Sequence, residues 1–366
     1  MAPTVNDWLR ALDDRYPSSW AEAWDNVGLQ AGDPRAEARS ALVALDPTPQ
    51  VVSEAAERGC AILITHHPLF FRPLERLDLS DPASGAISHA LVQGVAVVAC
   101  HTNADVARPG VTDALAGALG LEVTGVLRPT EAGGRVKLVT FVPPEATGKV
   151  LDAVTGAGGG VIGEYTHCAF RVRGTGSFLA GPDTDPVVGE RGVLTEVEED
   201  RLEAVVPVER VSPVVQALIE AHPYEEVAYD LIPLHGAPGV GLGRLANSGD
   251  PLTAADLADR CAERLGSEVR SAGDLGRRAE RIALVGGSGA ALIPDAIRAG
   301  ADVLITGDVK HHQAIDAAAA GLTVIDAGHH GTEWPFVPHL ASALNEAMPG
   351  GRAVVSGTNT DPFSRL

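Results

Sequence analysis

The chain has 366 residues, 45% hydrophobic and 21% charged, which is room for two or three domains with cores of their own. Its formal net charge of −20 excludes nucleic acid and anionic membrane as main partners, since both would be repelled. A small anionic substrate held through a local metal remains compatible with that charge.

The first residues show no basic start followed by an apolar stretch, so they do not read as a signal peptide. The spacing of Val5, Trp8, Leu9 and Leu12 predicts a helix over 5–16. Residues 40–45 read as a buried strand. Residues 49–59 read as a helix with Pro in its first turn and Gly after its end. A strand at 60–65, a helix at 84–94, a strand at 95–100 and a helix at 111–120 follow. The same rhythm returns late in the chain. A helix over 253–266 begins at Thr253, a suitable N-cap, and strands are predicted at 281–286, 301–306, 322–327 and 352–356. Helices are predicted between them at 291–299, at 313–320 and up to about Met348. Short apolar strands alternating with helices imply mostly parallel sheets covered on both faces.

The middle has a different order. Strands at 137–142, 164–173, 201–208 and 227–234, with helices at 145–155 and 212–221, spell βαββαβ, the ferredoxin-like unit. Loops at 128–134 and 235–243 bound it. The fold class is therefore α/β. A discontinuous core of residues 1–130 and 239–366 holds a ferredoxin-like domain, 131–238, inserted where the host's chain ends lie close together. None of Cys60, Cys100, Cys168 and Cys261 forms a CxxC pair, and no apolar run is long enough to span a bilayer. Reduced thiols and a cytoplasmic protein are expected.

Four segments share one layout, an apolar strand with ionisable residues just past its carboxyl end. They carry His66 and His67; His101 and Asp105; Asp308, Lys310, His311 and His312; and His329, His330 and Glu333. Ligands of open α/β sheets bind outside those strand ends, so the four should converge on one cleft. Neutral imidazole and carboxylate suit Zn, Mn, Fe, Co or Ni. Adjacent His66 and His67 point to different sides of an extended chain, and each can serve one metal of a close pair. His329 and Glu333, four apart at a helix start, share a face, and a Glu there can bridge two cations. Asp105 completes the set. His101 reads as a ligand, a partner of a ligand or a strand-end residue. Asp308, Lys310 and His312 are candidates for substrate binding or acid/base work. The run Gly286–Gly289 reads as a tight turn or an anion cradle.

These motifs resemble the NIF-three-like (YbgI-type) dinuclear-metal proteins, which carry the name GTP cyclohydrolase I type 2 homologue. The matching stretches are TrpAspAsnValGlyLeu at 24–29, HisHisProLeuPhePhe at 66–71, HisThrAsnAlaAsp at 101–105, GlyAspValLysHisHis at 307–312 and GlyHisHisGlyThrGlu at 328–333. GlyThrGlySerPhe at 174–178, GlyGluArgGly at 189–192 and HisProTyrGluGlu at 222–226 resemble the family's insert, a domain similar to the PII or CutA type. The resemblance implies metal ligands at His66, His67, Asp105, His329 and Glu333, two divalent ions per chain, and a toroidal homohexamer. A metal-dependent hydrolase of a small polar or nucleotide-like substrate is the leading expectation. The alternative is a non-enzymatic metal-binding scaffold or regulatory protein. GTP ring opening is not expected, because no separate signature for a purine pocket with an acid/base pair is present.

Overall fold

The computed structural model describes residues 2–72, 82–130, 134–234 and 239–363, so parts of both loops that bound the expected insert lie outside the described residues. The chain divides into two compact units, Met1–Thr130 with Gly239–Leu366, and Glu131–Pro238.

The first unit opens with α1 (Val5–Arg15), β1 (Gly28–Ala31), β2 (Ser40–Ala44), α2 (Pro49–Glu57), β3 (Ile62–Thr65), α3 (Pro82–Gln93), β4 (Ala96–Ala99), α4 (Thr102–Val106), α5 (Val111–Leu119) and β5 (Glu122–Pro129). The second unit follows with β6 (Arg135–Val142), α6 (Thr147–Gly156), β7 (Ala169–Leu179), β8 (Leu194–Pro207), α7 (Val211–Ala221) and β9 (Tyr229–Pro233). The first unit resumes with β10 (Gly241–Asn247), α8 (Ala254–Leu265), β11 (Arg270–Ala272), β12 (Ile282–Ser288), α9 (Ile293–Arg298), β13 (Val303–Gly307), α10 (His311–Ala319), β14 (Thr323–Asp326), α11 (His329–Glu333), α12 (Phe336–Ala347) and β15 (Arg352–Val355).

Local chemistry sets several of these boundaries. Thr48 accepts from Val51 N at the start of α2, with Pro49 in the first turn. Thr253 and Asp256 satisfy each other's backbone donors at the start of α8, and Gly266 closes that helix with φ +65°.

Among the described residues the first unit has two sheets. The first, β1-β4-β3-β2-β15, is parallel except for β1 on β4. The second, β11-β14-β13-β12-β10-β5, is parallel only between β12, β13 and β14. The expectation of mostly parallel sheets thus describes the first sheet and only the centre of the second. The flanking strands are antiparallel, β11 on β14, β10 on β12 and β5 on β10, the last pair forming the two arms of an open hairpin with Gly241 opposite Pro129. The central strands are apolar and buried on both faces, as crossover helices demand.

Helix α5 lies between the two sheets. Val111 belongs to the core that includes Ile64, Val98 and Phe336, while Leu115 and Leu119 pack with Leu284, Ile305 and Ile325. Arg244, on β10 and fully buried, ties this helix down. Its Nε and Nη2 donate to Asp113 Oδ2 at 3.0 and 2.7 Å, its Nη1 donates to the carbonyls of Gly241 and Gly243 at 2.7 and 2.9 Å, and Nη2 also donates to the carbonyl of Ala107. All five guanidinium N–H groups are thereby used, the condition under which a buried charge is tolerable.

In the second unit the strand order is β7-β8-β6-β9, antiparallel throughout. Helices α6 and α7 cover one face through Val150, Val154, Val214 and Leu218 against Leu138, Leu202 and Val206.

Replacing Arg244 with Met is expected to lower unfolding free energy by about 3–5 kcal/mol, because Asp113 loses its charged partner and three carbonyls lose the guanidinium's donors. Urea denaturation measures it. A loss under ~1 kcal/mol would show that the guanidinium does not hold α5 in place.

Candidate metal centre

The carboxyl ends of β3 and β4 deliver His66, His67 and His101, and those of β13 and β14 deliver Asp308 and His329. Their rings meet. Ring centroids are 5.0 Å apart for His66 and His67, 5.1 Å for His66 and His101, 5.7 Å for His67 and His101, and 5.3 Å for His67 and His329.

Every one of the four imidazoles is gripped at Nδ1 by an oxygen. The acceptors are the Cys100 carbonyl for His66 at 2.9 Å, Asp46 for His67 at 2.7 Å, Asp25 for His101 at 2.9 Å and Asp308 for His329 at 2.7 Å. This network places a proton on each Nδ1 and turns each Nε2 toward a shared centre.

Glu333 enters that centre from α11. Its Oε1 lies 3.1 Å from His329 Nε2 and 3.6 Å from His66 Nε2, and its Oε2 lies 3.1 Å from His67 Nε2. His67 Nε2 and His329 Nε2 approach to 3.3 Å. Two overlapping donor sets result, with ligand atoms within 4.8 Å of one another: His66, His67 and His101, and His67, His329 and Glu333. His66 Nε2 is buried with no hydrogen bond, 3.6 Å from Glu333 Oε1 and 3.8 Å from Asp105. An orphaned buried atom is costly, and a cation beside it would remove that cost.

The electrostatics follow from burial and crowding. Burial opposes charge on His67, yet its hydrogen bonds to Asp46 and Glu333 lift its pKa to about 10. Burial likewise opposes charge on His329, and Glu333 and Asp308 lift it to about 9. Glu333 is desolvated, but His66, His329 and His67 hold it well below the usual carboxylate range. Burial and the Glu333 charge push Asp105 upward against the pull of His66.

The expected residues differ in how closely they approach this centre. Asp105, on α4, stands 3.8 Å from His66 Nε2, at the margin of the donor sets. Asp308 grips His329 from a left-handed backbone position, φ +57°, which Asp tolerates better than most residues. Lys310 and His312 are exposed at the start of α10. Lys310 N donates to Gln313, His312 sits beside His311, and neither has a hydrogen bond or ion pair to the cluster. His330 turns away and stacks on Trp334, with centroids 5.4 Å apart and ring planes 14° apart.

Asp25 and Asp46 are absent from the expected site residues. Asp46 lies two residues past the end of β2, the same layout that singled out the other segments. Asp25 sits in the TrpAspAsn stretch, where nothing in the spacing points to His101. The glycine run forms the end of β12, where its register with β13 is interrupted between Leu284 and Ser288, and its amides are taken up by threonine hydroxyls. Gly287 N donates to Thr332 Oγ1 and Gly289 N to Thr306 Oγ1, both at 2.9 Å. A Cβ on Gly287 would fall 2.0 Å from Glu333 Oε1 and 3.1 Å from His329 Nε2.

An α/β protein whose strand ends surround a buried carboxylate with oriented imidazoles is the class that the fold and the site define. Residues 3–362 match the family model described as Duf34/NIF3 (NGG1p interacting factor 3), and the chain belongs to that family. It is 39% identical over 373 residues to a Bacillus subtilis (strain 168) protein named GTP cyclohydrolase 1 type 2 homolog, covering 100% of both chains. A Mycobacterium tuberculosis (strain ATCC 25618 / H37Rv) protein of the same name is 37% identical, over 100% of this chain and 97% of the other. Among solved structures, a Bacillus cereus protein related to NIF3 superposes with a TM-score of 0.82 at 36% identity, covering 100% of both chains.

Gly287→Ala is expected to lower stability by roughly 2 kcal/mol or more, through positive φ and crowding against Glu333. Gly59 has φ +69° and open space around it, so Gly59→Ala should cost only about 1 kcal/mol. Equal losses in chemical denaturation would mean that Glu333 does not crowd this turn.

Proposed function

We propose that this chain binds two divalent ions, drawn from Zn, Mn, Fe, Co and Ni, at His66, His67, Asp105, His329 and Glu333, and acts as a metal-dependent hydrolase on a small polar or nucleotide-like substrate. The observation that carries this reading is the convergence of the His66, His67 and His329 Nε2 atoms on the buried Glu333 carboxylate, with His66 Nε2 left orphaned and every ring already fixed at Nδ1. A closed structural site has a full shell of four ligands, and here one carboxylate between several imidazoles leaves donors to share. Bound divalent ions supply Lewis-acid activation of water and of an electrophile.

The chain's own residues do the positioning. Asp46, Asp25 and Asp308 hold the imidazoles in one tautomer. Asp308 acts through His329, while Lys310 and His312 orient an anionic group or move a proton. In this reading the second unit is a ferredoxin-like domain of the PII/CutA type, supported by its βαββαβ order and its strand order. The assembly is a homohexamer and the compartment is the cytoplasm. The name carried by the relatives is not extended to GTP ring opening. The scaffold reading draws on one observation, the exposure of Lys310 and His312 away from the cluster.

Protein purified and dialysed is expected to hold close to two divalent ions per chain by elemental analysis, and well under one would reject the dinuclear site. Glu333→Gln should weaken both ions together, whereas loss of one alone would make Glu333 a terminal ligand. A substrate panel of phosphoesters, nucleotides and cyclic amides, with His66→Ala as background, tests the hydrolase. No metal-dependent turnover above that background would leave the scaffold.

Loading should also release protons. His67 and His329, lifted to about 10 and about 9, are protonated at neutral pH in the metal-free chain and must lose that proton to ligate. Affinity is therefore expected to rise with pH through the neutral range, with net release of protons on loading at pH 7. Calorimetry in buffers of different ionisation enthalpy reads that release. Zero release would mean that these imidazoles are not ligands.

A further inference from the structure

Two large aromatic rings stand in solvent beside the histidine cluster. Trp24 is 60% exposed and Phe71 is 51% exposed. Their centroids lie 6.3 Å apart at an interplanar angle of 36°, so together they make a bent apolar ledge. The ledge abuts His101, whose ring is 6.1 Å from that of Trp24 and 5.7 Å from that of Phe71. Since His101 packs 5.1 Å from His66, the ledge ends one imidazole away from the converging Nε2 atoms.

Leaving such rings in water forfeits hydrophobic free energy that burial would recover. Their backbone is nevertheless pinned. Next to Trp24, the Asp25 carboxylate accepts from His101 Nδ1 at 2.9 Å and from Thr102 N at 3.0 Å. Next to Phe71, the carbonyl of Phe70 accepts from Asn26 Nδ2 at 2.8 Å, and Gln30 Oε1 accepts from Leu69 N. One short stretch, 24–30, thus holds the backbone beside both rings while each side chain stays more than half exposed.

We propose that Trp24 and Phe71 stack a planar heteroaromatic ring of the nucleobase class and present its polar substituents to the histidine–carboxylate cluster. This rests on reading the cluster as the reactive centre, and it names the ligand class that centre takes. Stacking needs a flat π face and tolerates any base, whereas a sugar or a small carboxylic acid offers no such face. The chain's net charge of −20 disfavours phosphate at long range, so uncharged nucleosides are the appropriate probes.

Metal-free full-length protein is titrated with adenosine, guanosine and ribose, read by tryptophan fluorescence and by saturation-transfer NMR. Both nucleosides are expected to bind saturably and ribose not at all. Trp24→Ala and Phe71→Ala should each weaken nucleoside binding by roughly tenfold, while Trp24→Phe, which keeps a π face, should stay within about threefold. Three results overturn the proposal: no saturable nucleoside binding at millimolar concentration, undiminished binding in the double alanine variant, or a fall in sedimenting mass of that variant, which would assign the rings to contact between copies. Metal content is measured on separate samples. Nucleoside binding without metal uptake sinks the metal reading alone, and metal uptake without nucleoside binding sinks the ledge alone.

Discussion

Arg244 carries a full charge where no solvent reaches, and the relation between the two sheets of the first unit depends on it. Its guanidinium holds Asp113 at the start of α5 and the carbonyl of Ala107 just past α4, while its own strand belongs to the second sheet. The segment between strand β4 and helix α5 carries both His101 and Asp105. A charge used at all five N–H groups tolerates little displacement, because any shift strands a donor in a dry core. That constraint brings strand ends from two different sheets within hydrogen-bond distance of each other, and His67 and His329 meet across it.

The cluster thereby assembled resists its own electrostatics in a specific way. Four imidazoles and a carboxylate crowd a buried space, which would disperse if the side chains were free to turn. Oxygen acceptors outside the cluster prevent this, one for each ring. Two of them, Asp46 and Asp308, stabilise positive charge on His67 and His329. In the proposed metal-bound form the same acceptors would raise imidazole basicity, so one arrangement would serve both states. Gly287 belongs to this design because its missing side chain is what lets the Glu333 carboxylate lie against the turn.

Much of this was legible in the sequence because strand ends announce themselves. Continuous apolar runs followed by His or Asp located β3, β4, β13 and β14 to within a few residues, and the i,i+4 spacing of His329 and Glu333 put both on one helical face. Other elements were illegible for physical reasons. Strands β5 and β10 contain glycines and a buried Arg244, which break the apolar pattern. Strand β11 is three residues long and mostly exposed. In the second unit the run expected as a strand from Glu164 begins at Ala169, since the chain first makes an isolated bridge between Ile162 and Tyr165. The acceptors Asp25 and Asp46 were missed because a hydrogen bond to a ring nitrogen far along the chain has no period.

The open hairpin of β5 and β10 explains how so large an insertion is compatible with the site. Gly241 pairs opposite Pro129, so the host's two ends are held at neighbouring positions by the sheet itself. Closing a long loop adds little entropy cost beyond that of a short one once its ends are fixed. Every imidazole of the cluster, each oxygen that orients one, and the aromatic ledge come from residues on the host side of that junction. The strands that carry the cluster are flanked by strands and helices of the same unit, so its geometry follows from the sheet pairing and from Arg244 within one core.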